Sequence, residues 1–232
     1  MRWIWVARSR LASAEVDGMA ALYQRYYTGA APEAFARDLA NKDFVALALI
    51  GQNVVGFSTV KVFRMDAGDM SVLFSGDTIV DASARGTAGL IDAYLALLAR
   101  LLETEKDVPL YWLLISKGPR TYRILPTFFT RYYPGTEGDA TLRPMLDRIA
   151  GERFGAAYDP VTHLYRPPPP RDRLRPEHCD FNAADAVMRW FDGANPEWRD
   201  GIELCTITPI THDNFNALAR RRVSRIDVGW RE

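Results

Sequence analysis

SVLFSGDTIV (71–80), DASARGTAG (81–89) and LIDAYLALLARLL (90–102) follow one another without a break, and their succession decides the fold. The first segment is β-rich, the second is made of small and turn-forming residues, and the third is strongly apolar. A strand that stops at a small-residue loop and enters a helix directly leaves backbone N–H groups free at the helix start. Together with the positive end of the helix dipole, those groups form a ready site for a phosphate or pyrophosphate. Leu90, Ile91, Tyr94, Leu95, Leu97, Leu98, Leu101 and Leu102 cover more than one face of the helix, so it is expected to lie buried against a sheet.

Working outward from this unit, residues 3–7 read as a first strand and residues 13–27 as a helix. Ser13 is its expected N-cap, with Met19, Leu22, Tyr23, Tyr26 and Tyr27 on one face. Pro32 and Glu33 open a second, short helix. Two β-rich runs, 43–50 and 53–65, flank the turn signature Gly51-Gln52-Asn53, and Gly56 suggests a bulge or a close backbone approach. With 71–80 they make a three-stranded meander. Residues 108–116 form a continuous apolar run, which suits a central strand covered on both faces. A helix over 119–132 should kink or divide at Pro126, and a further helix spans 141–154. A late strand is expected at 161–165. Four consecutive prolines, 167–170, favour extended geometry and mark a boundary. Residues 1–166 are therefore the main domain, and 167–232 a Pro-led extension packed on it, with a helix near 183–191, a strand near 202–207 and a helix near 211–222.

Bulk properties remove several function classes. Lys plus Arg and Asp plus Glu both number 29, so no global basic field exists to hold nucleic acid. Two cysteines, Cys179 and Cys205, make no disulfide framework. His163, His178 and His212 lack metal-ligand spacing, so no metal site is expected. There is no nucleophile elbow, Walker loop or zinc-protease motif. No apolar stretch approaches the ~20 residues that span a bilayer, and no signal peptide is visible, which points to the cytoplasm.

The element order, strand, helix, helix, three strands, helix, strand, helix, late strand, resembles the GCN5-related N-acetyltransferase (GNAT) fold over residues 1–166. The motif that carries the resemblance is Arg85-Gly86-Thr87-Ala88-Gly89-Leu90. Arg85 and Gly86 match the family's pyrophosphate loop. Ala88 stands where Gly is usual, and Leu90 where the final Gly or Ala is usual. The resemblance implies an α/β (α+β) fold: a mixed, mostly antiparallel central sheet flanked by helices. It also implies that Ala84, Arg85, Gly86, Thr87, Ala88 and Gly89 cradle the phosphates of an acyl-CoA, with the acyl arm in a gap between splayed strands. The weaker cradle is similar to that of the N-acyl amino acid and acyl-homoserine-lactone synthase branch, which takes its acyl group from phosphopantetheine on an acyl-carrier protein.

The resemblance further implies a tyrosine that protonates the leaving thiolate. Its position falls on Phe129, leaving Tyr122 and Tyr132 as substitutes. Amide formation also needs a group to take the amine proton. Asp77, a carboxylate inside an apolar strand, is the candidate base, because a buried carboxylate is costly unless paired or protonated. Ser75 and Ser116 are candidates to orient substrate. Lys117 and Arg120 could meet phosphates or an acidic acceptor. The expected activity is transfer of an acyl group to a small-molecule amine. The alternative is a GNAT-fold module that binds a ligand or protein without catalysis. A third reading has residues 171–232 cover a second copy, giving a homodimer.

Overall fold

A computed structural model gives the structure of the protein and describes residues 1–29, 32–85, 89–226 and 228–232. The strands are β1 (Arg2–Ala7), β2 (Tyr27–Thr28), β3 (Phe44–Ile50), β4 (Asn53–Arg64), β5 (Ser71–Val80), β6 (Leu110–Ser116), β7 (Tyr158–Asp159), β8 (Leu164–Tyr165), β9 (Arg173–Leu174), β10 (Glu203–Pro209) and β11 (Gly229–Arg231). The helices are α1 (Ser13–Tyr26), α2 (Pro32–Ala40), α3 (Gly89–Thr104), α4 (Pro119–Tyr122), α5 (Ile124–Phe128), α6 (Arg143–Phe154), α7 (Ala186–Ala194) and α8 (Ala217–Val223).

Nine of these strands form one sheet in the order β11-β1-β3-β4-β5-β6-β10-β8-β7. Only the β1–β11 and β5–β6 pairs are parallel; the others are antiparallel. The expected mixed, mostly antiparallel sheet flanked by helices is the fold observed. The meander of β3, β4 and β5 forms as the turn chemistry requires, with Gly51 in the left-handed region at φ 62°. Gly56 does what its place in the strand suggests. The β3–β4 register shifts beside it, and a Cβ there would lie 3.1 Å from the Ile79 carbonyl.

Period-2 alternation divides the core between two faces. On one face Trp5, Leu73, Trp112 and Leu114 meet Tyr94, Leu95, Leu98 and Leu101 of α3. Trp112 stacks on Tyr94 at 4.6 Å and donates from Nε1 to Ser75 Oγ at 2.9 Å. On the other face, Val45, Leu47, Phe57 and Ile79 meet α1 and α2, while Val72, Phe74, Leu113 and Ile207 meet α6. Truncating a side chain such as Trp112 in this core should remove about 3–5 kcal/mol.

Three expectations change. The helix at 119–132 divides into α4 and α5 at Arg123 and ends at Phe128. Pro126 has no N–H to return to Tyr122, four residues back, so the ladder breaks there. Residues 161–163 form a turn, leaving a two-residue β8. Most important, residues 167–232 do more than pack on the sheet: they supply two of its strands. β10 lies between β6 and β8, with Leu204 to Pro209 in register with Ser116 to Tyr111, and β11 extends the far edge beside β1. The proline run joins β8 to β9 and lines a cavity beside the sheet.

A chain ending at residue 166 loses the partner of β6 and uncovers its apolar length. Thermal unfolding of that fragment by circular dichroism should show no cooperative transition. A cooperative transition near that of the full chain would contradict this placement of β10.

Candidate active site

The parallel pairing of β5 with β6 stops after Ser75–Leu114, although β5 continues to Val80 beside β4. The divergence coincides with a β-bulge. Ser58 pairs with Thr78 and Thr59 with Gly76, so Asp77 has no residue opposite it. A bulge adds local twist and re-aims the extra side chain. Here it bends β5 away from β6 and presents Asp77 to the gap.

Two cavities meet at that gap. One, of about 500 Å³, lies toward α3 and α4 and is lined by Trp3, Tyr27, Arg85, Leu90, Arg120 and Trp198 among others. The second, of about 370 Å³, lies toward α2 and α6, with Phe35, Asp38, Arg153 and Phe154 on its walls and 167–170 across its rim. Gly76, Asp77, Ile115, Lys117 and Glu203 line both. The two spaces therefore share one wall of chemistry.

Asp77 accepts no hydrogen bond and forms no ion pair among the described residues. Burial, reinforced by the Asp38 carboxylate and opposed by Lys117 and Lys42, pushes its carboxyl up to about 7. Lys42 is buried, pairs with Asp38 at 2.9 Å, and sits so close to Gly76 that a Cβ there would lie 3.0 Å from its Nζ. Gly76 is thus the space that admits this ammonium beside Asp77.

Lys117, the residue after β6, is held by carboxylates from the C-terminal third of the chain. Its Nζ pairs with Asp172, which also accepts the Tyr23 hydroxyl hydrogen bond, and lies 3.6 Å from Glu203 Oε1. Burial alone would lower the lysine, but Glu203 and Asp172 raise it well above its ordinary value. Burial pushes Glu203 up to about 7 against the pull of Lys117. Burial also works to raise Asp172, yet the lysine charge and the hydrogen bonds from Lys117 and Tyr23 bring it net below the usual carboxylate range. Asp172 is therefore the permanent counter-ion and Glu203 the adjustable one. Two glycines position Asp172. Cβ atoms at Gly29 (φ 91°) and Gly201 (φ 81°) would lie 2.4 Å from the Arg171 carbonyl and 2.5 Å from the Asp172 carbonyl.

Arg85 lies at the mouth of the larger cavity. Its Nε donates to the Val80 carbonyl at 3.1 Å, and its Nη1 pairs with Asp180 at 3.0 Å. Asp180 also pairs with Arg120 at 2.8 Å, and Arg123 pairs with Asp185. Ala84 is buried at the end of a turn capped by Asp81. Gly89 opens α3 against Trp3, where a Cβ would lie 2.1 Å from the indole. The Trp3 Nε1 is buried without a hydrogen-bond partner among the described residues. Gly86, Thr87 and Ala88 lie outside the described residues.

Two expected catalytic residues are elsewhere. Tyr122 is 2% exposed, stacks on Trp190 and donates to the Pro134 carbonyl at 3.2 Å, so its hydroxyl is absorbed by the core and does not line the gap. Ser116, the last residue of β6, faces away from the gap and is fully buried, with no partner for Oγ among the described residues. Ser75 is committed to Trp112, Phe129 packs on Trp112 and Phe215, and Tyr132 is buried away from both cavities. Of the sequence candidates, the gap gathers Asp77 and Lys117, with Arg85 and Arg120 on the adjoining wall. Sequence reasoning missed Glu203, Asp172 and Tyr23. Glu203 carries a signal related to that of Asp77, an acid at the start of an apolar strand; Asp172, between two arginines, carries none.

No family model matches the chain, and no curated protein matches its sequence. Solved structures overlap part of it. A conserved protein of unknown function from Enterococcus faecalis V583, a probable N-acyltransferase, is 17% identical with a TM-score of 0.41; the overlap covers 53% of this chain and 31% of that one. The GNAT family N-acetyltransferase YhbS of Escherichia coli, solved in complex with CoA, is 15% identical with a TM-score of 0.40 over 60% of this chain and 78% of its own. ElaA of Escherichia coli is 15% identical, with a TM-score of 0.38 over 59% and 89%. Among the described residues, no helix is long and apolar enough to cross a membrane, and no cluster of potential metal ligands occurs.

Asp77 and Glu203 hold their protons to about pH 7 in the folded chain, while the unfolded chain loses them near pH 4. The folded state binds more protons in that window, so these two groups lower stability as pH rises through it. Asp77→Asn should therefore raise the melting temperature at pH 8 and change it little at pH 4.5. A lower melting temperature for the variant at pH 8 would show that the carboxylate is instead a structural partner.

Proposed function

We propose that this protein is a GNAT-type acyltransferase that moves an acyl group from a phosphopantetheine thioester to an amine. The observation that carries the reading is the open gap after Ser75–Leu114, with an unpaired Asp77 where two cavities meet. One cavity suits the donor. Gly89 is pressed against Trp3, the Trp3 indole N–H has no partner among the described residues, and Arg85 and Arg120 supply charge for phosphates. Its wall between Tyr27, Ile79, Leu90 and Ile124 is apolar and suits the acyl arm. The other cavity suits the acceptor, which meets the thioester at Asp77.

The thioester is substrate and supplies the activated carbonyl. Asp77, ionised above about pH 7, takes a proton from the amine nitrogen as that nitrogen bonds to the carbonyl carbon. The carbon–sulfur bond then breaks, sulfur leaves as thiolate, and the proton held by Asp77 returns to it or to solvent. Asp180, between Arg85 and Arg120, occupies guanidinium groups that a phosphate would otherwise take.

A second reading, binding without transfer, draws support from Tyr122 and Phe129, neither of which can protonate a thiolate in the gap. Two measurements decide between them. CoA, acyl-CoA or a loaded carrier protein should raise the melting temperature. Release of free thiol in the presence of an amine should fall by about 10²–10⁴-fold in Asp77→Asn. In the wild type, kcat/KM should rise with pH and level above about 7, the value to which Asp77 is pushed. Donor binding with no thiol release from any amine would leave the second reading; no binding of any thioester would remove both. Asp180→Asn, by freeing Arg85 and Arg120, should tighten CoA binding, and unchanged binding by calorimetry would place the phosphates elsewhere.

A further inference from the structure

Acyl transfer leaves a negative charge on sulfur, and the residues around the gap include no tyrosine of α4 or α5 to receive it. Tyr122 is bonded to a backbone carbonyl, Tyr132 is buried elsewhere, and Phe129 has no hydroxyl. The cation at the gap is Lys117. It follows the last residue of β6, lines both cavities, and is only 13% exposed as a side chain. An ammonium has three N–H donors. Asp172 takes one, Glu203 lies within reach of a second, and the ammonium lies over the Tyr27 ring, 5.2 Å from its centroid, a far weaker acceptor than a thiolate. Lys42 is also near, but Asp38 holds it on the acceptor side alone.

We propose that Lys117 is a catalytic residue: its ammonium stabilises the leaving thiolate in the gap, in place of a tyrosine general acid. The proposal rests on the acyl-transfer reading. Lys117 keeps its proton throughout. The carbon–sulfur bond breaks, the electron pair goes to sulfur, and the thiolate forms beside the ammonium before taking the amine's former proton from Asp77 or solvent. Fixed charge aimed at a developing anion in a site shielded from water is worth about 10²–10³-fold in rate. Asp172, Glu203, and the Gly29 and Gly201 backbones that seat Asp172, are positioning elements for this ammonium.

The test uses the full chain and two thioesters of one acyl group, the alkyl thioester of CoA and a thiophenyl ester, whose thiolate leaves unaided more easily. Lys117→Met should lose about 10²-fold or more with CoA and about 10-fold or less with the thiophenyl ester. Lys117→Arg should recover part of the loss with CoA. Lys117→Met leaves Asp172 without its counter-ion, so Lys117→Met/Asp172→Asn is measured beside it and should show the same selectivity in a better-folded chain. Tyr27→Phe, at the ring that lines the donor cavity and faces Lys117, should show no loss selective for the CoA ester. Equal losses with both esters would assign Lys117 a structural role and overturn the proposal, as would selective loss in Tyr27→Phe alone. If neither lysine variant folds, the wild type decides. A shallow dependence of kcat/KM on leaving-group pKa supports the proposal and a steep one overturns it. A wild type that transfers no acyl group to any amine fails the underlying reading first and is recognised by that result.

Discussion

The organisation of this protein depends on where two parallel strands stop pairing. β5 and β6 share five residue pairs, from Ser71–Leu110 to Ser75–Leu114, and then separate. The last pair is anchored by the Trp112 indole on Ser75 and by the Tyr94 ring beneath it. Beyond it, the bulge at Asp77 keeps β5 with β4, while β10 keeps β6 with the other half of the sheet. A break in mid-sheet leaves strand edges unpaired, which a protein normally covers or uses. Here the break is the floor common to two cavities, and the residue released by the bulge is a carboxylate.

That arrangement sets stability against chemistry. Asp77, Glu203, Asp172, Lys117 and Lys42 are gathered where water is scarce, and buried charge is retained only when paired or when its protonation changes. Lys117 and Asp172 pair. Lys42 and Asp38 pair. Asp77 has no partner among the described residues and Glu203 only shares Lys117 at 3.6 Å, so burial pushes both carboxyls up to about 7. An unpaired carboxylate near neutrality is a poor structural element and a good proton acceptor. The C-terminal third supplies Asp172 and Glu203, so sheet and site close together when β10 inserts.

Much of this was legible in the sequence where local rules act alone. The strand–loop–helix unit at 71–102, the hairpin around Gly51 and the apolar β6 follow from turn chemistry and periodicity. Asp77 stood out because an acid inside an apolar strand requires an explanation. The place of β10 was not legible, because insertion between β6 and β8 is a long-range pairing that composition does not encode. Neither was the role of the proline run, whose extended geometry suits a crossing segment as well as a linker. Tyr122 failed as a candidate because helical position does not say whether a hydroxyl meets a cavity or the Pro134 carbonyl. For Lys117 the sequence suggests a phosphate or an acidic acceptor and not its actual partners, because those carboxylates lie 55 and 86 positions away, at Asp172 and Glu203.

The proposed acyl transfer requires a thioester in the β5–β6 gap. A crystal structure with a non-transferable analogue, such as a CoA thioether, tests it most directly. The sulfur-equivalent atom is expected between Gly76 and Ile115, beside Asp77 and Lys117, with the phosphates near Arg85 and the start of α3. An analogue bound anywhere that leaves the gap empty would contradict it.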